Sequence, residues 1–174
     1  MSDLSSYIRT VMDFPKPGIG FKDITTLLKD GPALHRSVDM LAEKFATKSI
    51  DKVVGIESRG FIFGTALAYK WNVGFVPVRK PGKLPAKTIC QEYALEYGTD
   101  KIEIHKDGIS SGEKILIIDD LLATGGTAAA TVELVKKLGG DIQGIGFLIE
   151  LTFLNGRQKL SGYEVISLIE FQGE

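Results

Sequence analysis

The chain has 174 residues, of which 44% are hydrophobic and 25% charged, enough to bury a sizeable core as one domain without disulfides or metal. Its 21 Lys and Arg against 22 Asp and Glu leave a formal charge of −1, so nothing points to nucleic acid as the main partner and any phosphate binding must be local. Cys90 is the single cysteine, the start MSDLSSYIRT is polar, and no apolar run approaches the roughly 18 to 20 residues that span a bilayer, so a cytoplasmic protein away from membranes is expected.

Leu4, Tyr7, Ile8 and Val11 recur at helical spacing and predict a first helix from Ser2 to Met12, capped by Ser2 or Asp3. Two prolines in Phe14-Pro15-Lys16-Pro17-Gly18 stop it, and Phe14 to Asp23 reads as a structured loop. Asp30-Gly31-Pro32 opens a second helix with the stripe Leu34, Val38, Leu41 and Phe45, ending near Lys48. Lys52 to Ile56 is a strand, Glu57-Ser58-Arg59-Gly60 a turn, and a helix follows to about Trp71. Phe75 to Val78 is the next strand, broken by the basic loop Lys80-Pro81-Gly82-Lys83-Leu84-Pro85. The alternating runs Ile89 to Tyr97 and Lys101 to His105, linked at Gly98-Thr99-Asp100, predict an antiparallel hairpin projecting from the main sheet. Strands at Ile115 to Ile118, Ile142 to Leu151 and Val165 to Ile169, with a helix from about Gly126 to Leu138, complete an α/β pattern: a mostly parallel twisted sheet with helices on both faces.

In such sheets ligands bind beyond the carboxyl ends of the strands, which directs attention to the segments after Ile56 and Ile118. The apolar run Ile115 to Ile118 ends in two adjacent carboxylates, Asp119 and Asp120. Ala123-Thr124-Gly125-Gly126-Thr127 then leads into a helix, so backbone amides and threonine hydroxyls can meet an anion at the positive helix end. One phosphate site beside a pair of acids suits a sugar phosphate such as ribose 5-phosphate, the carboxylates accepting from vicinal hydroxyls. A triphosphate fits poorly, because the lysine of a P-loop is missing and two acids would repel it. Arg59 stands at a strand end where its fork can take diphosphate oxygens, the alternative being a surface pair with Glu57. Arg79, Lys80 and Lys83 suit a loop closing over a charged substrate, or simply a solvated surface. Glu96 shares a strand face with Cys90, Glu92 and Ala94 and, taken alone, faces solvent. His35 and His105 are isolated, which argues against a zinc site.

The stretch Asp119 to Thr127 with the strand before it resembles the signature of the type I phosphoribosyltransferases, which bind 5-phosphoribosyl 1-diphosphate (PRPP). Four further segments resemble the members of that family that act on adenine: Phe14 to Thr25, Glu57 to Phe61, Arg79 to Pro85, and Leu95 to Gly98. The resemblance implies the type I fold in a single domain, with an N-terminal base hood over about residues 1–30 and a flexible catalytic loop over about 80–100. It implies conversion of adenine and PRPP to AMP and pyrophosphate through an oxocarbenium-like transition state, with Mg²⁺ held mainly by substrate and water rather than by a direct protein ligand. The implied roles place the ribose phosphate on Asp119, Asp120, Ala123, Thr124, Gly125, Gly126 and Thr127, and the base between Phe21 and Leu121, with Ile19 and Gly20 along its edge. Ser58, Arg59, Arg79, Lys80 and Lys83 would take pyrophosphate, Glu96 would assist proton transfer at the purine, and Tyr97 would stand beside the reacting groups. A homodimer is implied too. Lys22 departs from the arginine, and Thr26 from the proline, that many members carry. Two alternatives are an enzyme for another purine, and a PRPP-sensing regulator; the latter should carry an extra nucleic-acid-binding domain or a basic face, and neither shows in this sequence.

Overall fold

The computed structural model describes residues 3–94 and 98–173. The helix expected over residues 2–12 is replaced by a single 3-10 turn, Leu4–Tyr7, followed by a strand, β1 (Arg9–Val11). The Asp3 carboxylate caps the turn by accepting from the Ser5 amide at 3.3 Å. Beyond it the chain extends to pair antiparallel with β2 (Phe21–Asp23), which lies inside the stretch expected as loop, in the register Arg9 with Asp23 and Val11 with Phe21. The Arg9 guanidinium donates to Asp23 and thereby holds that carboxyl at a pKa of about 2. This ladder joins residues a dozen apart in sequence, so local periodicity could not reveal it. Thr26, in the short helix α1 (Thr25–Leu28), donates its hydroxyl to the Tyr7 carbonyl at 2.6 Å and ties the first turn down, a bond that proline could not make.

Helix α2 (Gly31–Lys44) starts as expected, with Asp30 accepting from the Ala33 amide at 2.9 Å and Pro32 in the first turn, and stops a turn before Lys48. Strand β3 (Lys52–Ile56), helix α3 (Gly60–Trp71) and strand β4 (Gly74–Val78) follow, then a hairpin of β5 (Thr88–Ala94) and β6 (Thr99–His105). The chain closes with β7 (Lys114–Leu122), α4 (Gly126–Lys137), β8 (Asp141–Leu151) and β9 (Val165–Phe171). The five-stranded sheet, in the order β4-β3-β7-β8-β9, is parallel throughout. From β3 the chain steps outward to β4 and then crosses to β7 on the other side, so the crevice for a ligand opens at the carboxyl ends of β3 and β7.

Neighbouring residues on each strand serve opposite faces. Val54, Ile115, Ile117 and Phe147 pack under α4 and the hairpin, while Val53, Leu116, Ile118 and Leu148 pack under α2 and α3. Each such fully buried apolar side chain contributes about 1.5–3 kcal/mol by leaving water. The hairpin forms a sheet of its own, but its base is anchored, with Ile102 and Ile104 buried in the α4-side core. Its register differs from the expected link: Thr99 pairs with Ala94 and Asp100 with Tyr93, so both belong to β6. Among the described residues no helix is long and apolar enough to cross a membrane.

Candidate functional site

Strand β7 runs four residues beyond the expected end at Ile118, because Asp119, Leu121 and Leu122 keep pairing with β8. Asp119 and Asp120 are therefore held inside a central strand, and both line the cavity at its end. Asp120 is 4% exposed. Asp119 is half-buried and lines two adjoining cavities. Burial and the neighbouring Asp120 raise the Asp119 carboxyl well above the ordinary range. Burial also raises Asp120, against the pull of Arg59. Arg59 Nε stands 2.6 Å from Asp120 Oδ2, an ion pair between the turn after β3 and the acid strand.

These acids form the floor of a cavity of about 340 Å³. Its walls are Glu57, Ser58 and Arg59 from the turn after β3, Lys80 after β4, Tyr93 and Ile102 from the hairpin, and Leu121 and Thr127. A smaller hollow of about 80 Å³ continues from Asp119 along the backbone from Leu121 to Ala128, and Ala123, Thr124, Gly125, Gly126 and Thr127 all line it. Gly60 lets α3 begin directly on the acid strand, since a Cβ there would sit 2.8 Å from the Ile118 carbonyl and 2.9 Å from Asp119 Oδ1. Gly125 caps α4 at φ 77°, and a Cβ there would lie 2.3 Å from the Gly156 carbonyl oxygen. Gly125 has no side chain to cap the helix, so the first-turn amides stay available to an anion at the positive end of a 12-residue helix. Gly125→Ala, strained both in φ and by that contact, is expected to lower the melting temperature and abolish ribose 5-phosphate binding; unchanged affinity in a calorimetric titration would contradict this.

Arg59, Arg79 and Lys80 are each held by an acid. Arg79 pairs with Glu57 (Nε to Oε2 3.1 Å) and also donates to the Lys83 carbonyl, so the alternative of a surface pair between Arg59 and Glu57 is not what forms. Burial would raise the Glu57 carboxyl, but Arg79 and the Lys80 amide hold it low. Lys80 pairs with Asp100 and lies 3.5 Å from the Tyr93 hydroxyl, which itself donates to Asp100 at 3.2 Å. Burial would lower the Lys80 ammonium, and Asp100 with Tyr93 keeps it above its ordinary value. Neither Arg79 nor the exposed Lys83 lines the main cavity.

Phe21, like Ile19 and Gly20, lines neither hollow; it lies edge-on to Phe14 at 5.1 Å, with the guanidinium of the cavity-lining Arg59 5.3 Å from its ring centre. Ile19 is exposed and Gly20 lies beside it, while Leu121 lines both hollows. Lys22 points the other way: it is buried, donates to the Thr10 hydroxyl at 3.2 Å and covers the Phe171 ring. Glu96 and Tyr97 lie outside the described residues. Tyr93 and Asp100, which hold Lys80, and Ile102, which lines the cavity with Tyr93, are residues that sequence reasoning missed. The signal for the first two was the hairpin register, since pairing Thr88 with His105 brings Tyr93 opposite Asp100.

The chain belongs to the phosphoribosyltransferase family, whose phosphoribosyl transferase domain model matches residues 25–166. Within it, the chain is 60% identical to the adenine phosphoribosyltransferase of Clostridium perfringens, over 97% of this chain and 98% of that protein. The crystal structure of adenine phosphoribosyltransferase from Thermoanaerobacter pseudethanolicus superposes with a TM-score of 0.94 at 56% identity, covering 97% of this chain and 98% of that one. The Saccharomyces cerevisiae adenine phosphoribosyltransferase, solved with an imino-altritol bisphosphate and adenine, gives 0.89 at 42% identity, over 95% and 96% of the two chains. The fold is that of the type I phosphoribosyltransferases.

Proposed function

We propose that the protein transfers the 5-phosphoribosyl group of PRPP to adenine, giving AMP and pyrophosphate, as a purine-salvage enzyme of the cytoplasm that acts as a homodimer. The observation that carries this is the placement of Asp119 and Asp120 on one floor between a cationic wall, Arg59 and Lys80, and the amide-rich loop Thr124 to Thr127. The loop takes the 5-phosphate, and the acids accept from the ribose hydroxyls and hold the anomeric carbon toward the cationic wall. Ser58, Arg59 and Lys80 receive the diphosphate, joined by Arg79 and Lys83 when the basic loop closes. Arg59 and Lys80 then trade their carboxylate partners for diphosphate oxygens.

Adenine lies between Phe21 and Leu121, its edge read by the backbone of Ile19 and Gly20. Its N9 attacks the anomeric carbon as the bond to diphosphate oxygen breaks, through a transition state of oxocarbenium character that the two acids stabilise. The N9 proton leaves with the help of Glu96, with Tyr97 beside it. Among the described residues no group of three or more His, Cys, Asp or Glu could hold a metal ion, so a magnesium ion here would be held mainly by substrate and water rather than by a protein cluster. When bound, Mg²⁺ neutralises the diphosphate and makes it a better leaving group. The hood over about residues 1–30 and the catalytic loop over about 80–100 serve this one domain.

Calorimetric titration tests the reading: AMP and ribose 5-phosphate should compete for one site per chain, and failure of AMP to bind would sink it. Glu96→Gln is expected to lower kcat by roughly 10²-fold with the fold retained. Unchanged turnover would remove Glu96 from the mechanism.

A further inference from the structure

We propose that Glu150 and Arg157 are positioning residues for phosphoribosyl binding, clamping the backbone turn on which the phosphate loop is seated; this rests on the loop Ala123 to Thr127 being the 5-phosphate site. The loop rests on bare backbone. A Cβ at Gly125 would lie 2.3 Å from the Gly156 carbonyl oxygen, and a Cβ at Gly156 would lie 2.1 Å from the Ala123 carbonyl oxygen. Nothing soft stands between the two segments, so the position of Gly156 sets where the loop amides point.

Gly156 opens a short 3-10 turn, Gly156–Leu160, whose second residue is Arg157. The Arg157 guanidinium is engaged on all three nitrogens. Nε donates to Glu150 Oε1 at 3.0 Å, one terminal nitrogen donates to Glu150 Oε2 and to Ser167 Oγ, and the other donates to the Val165 carbonyl at 2.6 Å. Ser167 returns a bond to Glu150 Oε2 at 2.7 Å. Glu150 is on β8 and Val165 and Ser167 are on β9, so the fork fastens the turn to the rigid sheet. Glu150 also pairs in register with Leu122, the residue just before the loop. The clamp therefore grips the loop's near end through the ladder and its seat through Arg157.

Stability alone does not call for such a pair, because a buried carboxylate is costly and packed apolar side chains would hold the turn as well. Glu150 is 4% exposed; burial would raise its carboxyl, and Arg157 and Ser167 keep it below the ordinary range. What the planar fork adds is direction, fixing residue 157 and hence Gly156. Loss of that direction should be felt in phosphate affinity before chemistry.

The test uses Glu150→Gln and Arg157→Lys, with Thr127→Ala in the loop itself as the reference. Titration with ribose 5-phosphate and steady-state kinetics are measured on each folded protein. Both clamp variants should weaken ribose 5-phosphate and raise KM for PRPP by about tenfold. Their kcat should stay within about twofold, with adenine affinity unaltered. A lower melting temperature with unchanged ribose 5-phosphate affinity and KM would reduce the pair to an ordinary fold contact and overturn the proposal. Loss of affinity in Thr127→Ala alone would overturn it in the same way, whereas no loss in Thr127→Ala would overturn the loop assignment beneath it.

Discussion

Asp119→Asn is expected to make the protein more heat-stable and a much poorer binder of PRPP. Asn keeps the oxygen that accepts the Asp120 amide at 2.8 Å, so the local backbone is preserved. It removes a charge that burial and Asp120 make costly. Both carboxyls have folded pKa values raised above the ordinary 3.8, so the native chain holds their protons more tightly than the unfolded one. That contribution is full below pH 3.8 and is lost as pH climbs through the raised folded values. The advantage of Asp119→Asn should therefore grow as pH rises above 3.8, by roughly 2–4 °C in melting temperature for each kcal/mol regained. The same change withdraws a charged acceptor from the ribose hydroxyls, and PRPP affinity should fall roughly 10- to 100-fold. Melting curves across pH and a PRPP titration check both halves; a variant less stable than the parent at neutral pH would contradict the electrostatic reading.

Lys80→Met should cost the most in rate. The ammonium lines the cavity opposite the acids and stays charged through Asp100 and Tyr93, where it can meet the departing diphosphate. Removing one such charge stabiliser typically costs about 10²–10³ in kcat. Methionine keeps most of the stem, and Lys80 is assigned to the diphosphate rather than to the base, so adenine affinity should hold. A loss confined to KM for adenine would place Lys80 in the base site instead.

The parallel sheet is legible in the sequence because its buried strands are continuous Val and Ile runs between helices with clear starts, such as Asp30-Gly31-Pro32. The phosphate loop is legible too, since acids, threonines and glycines follow a central strand in one short stretch. What local pattern does not show is long-range pairing. Leu4 to Val11 carries a helical stripe, yet a strand partner more than ten residues away makes part of it β1. Two carboxylates after Ile118 look like a strand boundary, while pairing with β8 continues through them. Arg59 looks like a partner for Glu57 by proximity, and three-dimensional packing gives it Asp120 and gives Glu57 to Arg79. Gly156 and Arg157 lie some thirty residues beyond the loop they support, and no motif links them to it.

The most direct measurement mixes the protein with PRPP, Mg²⁺ and, separately, adenine, hypoxanthine, guanine and xanthine, then assays nucleotide and pyrophosphate. The account predicts AMP and pyrophosphate in equal amounts with adenine and little product with the other bases. Absence of product with adenine, or a faster reaction with another purine, would contradict it.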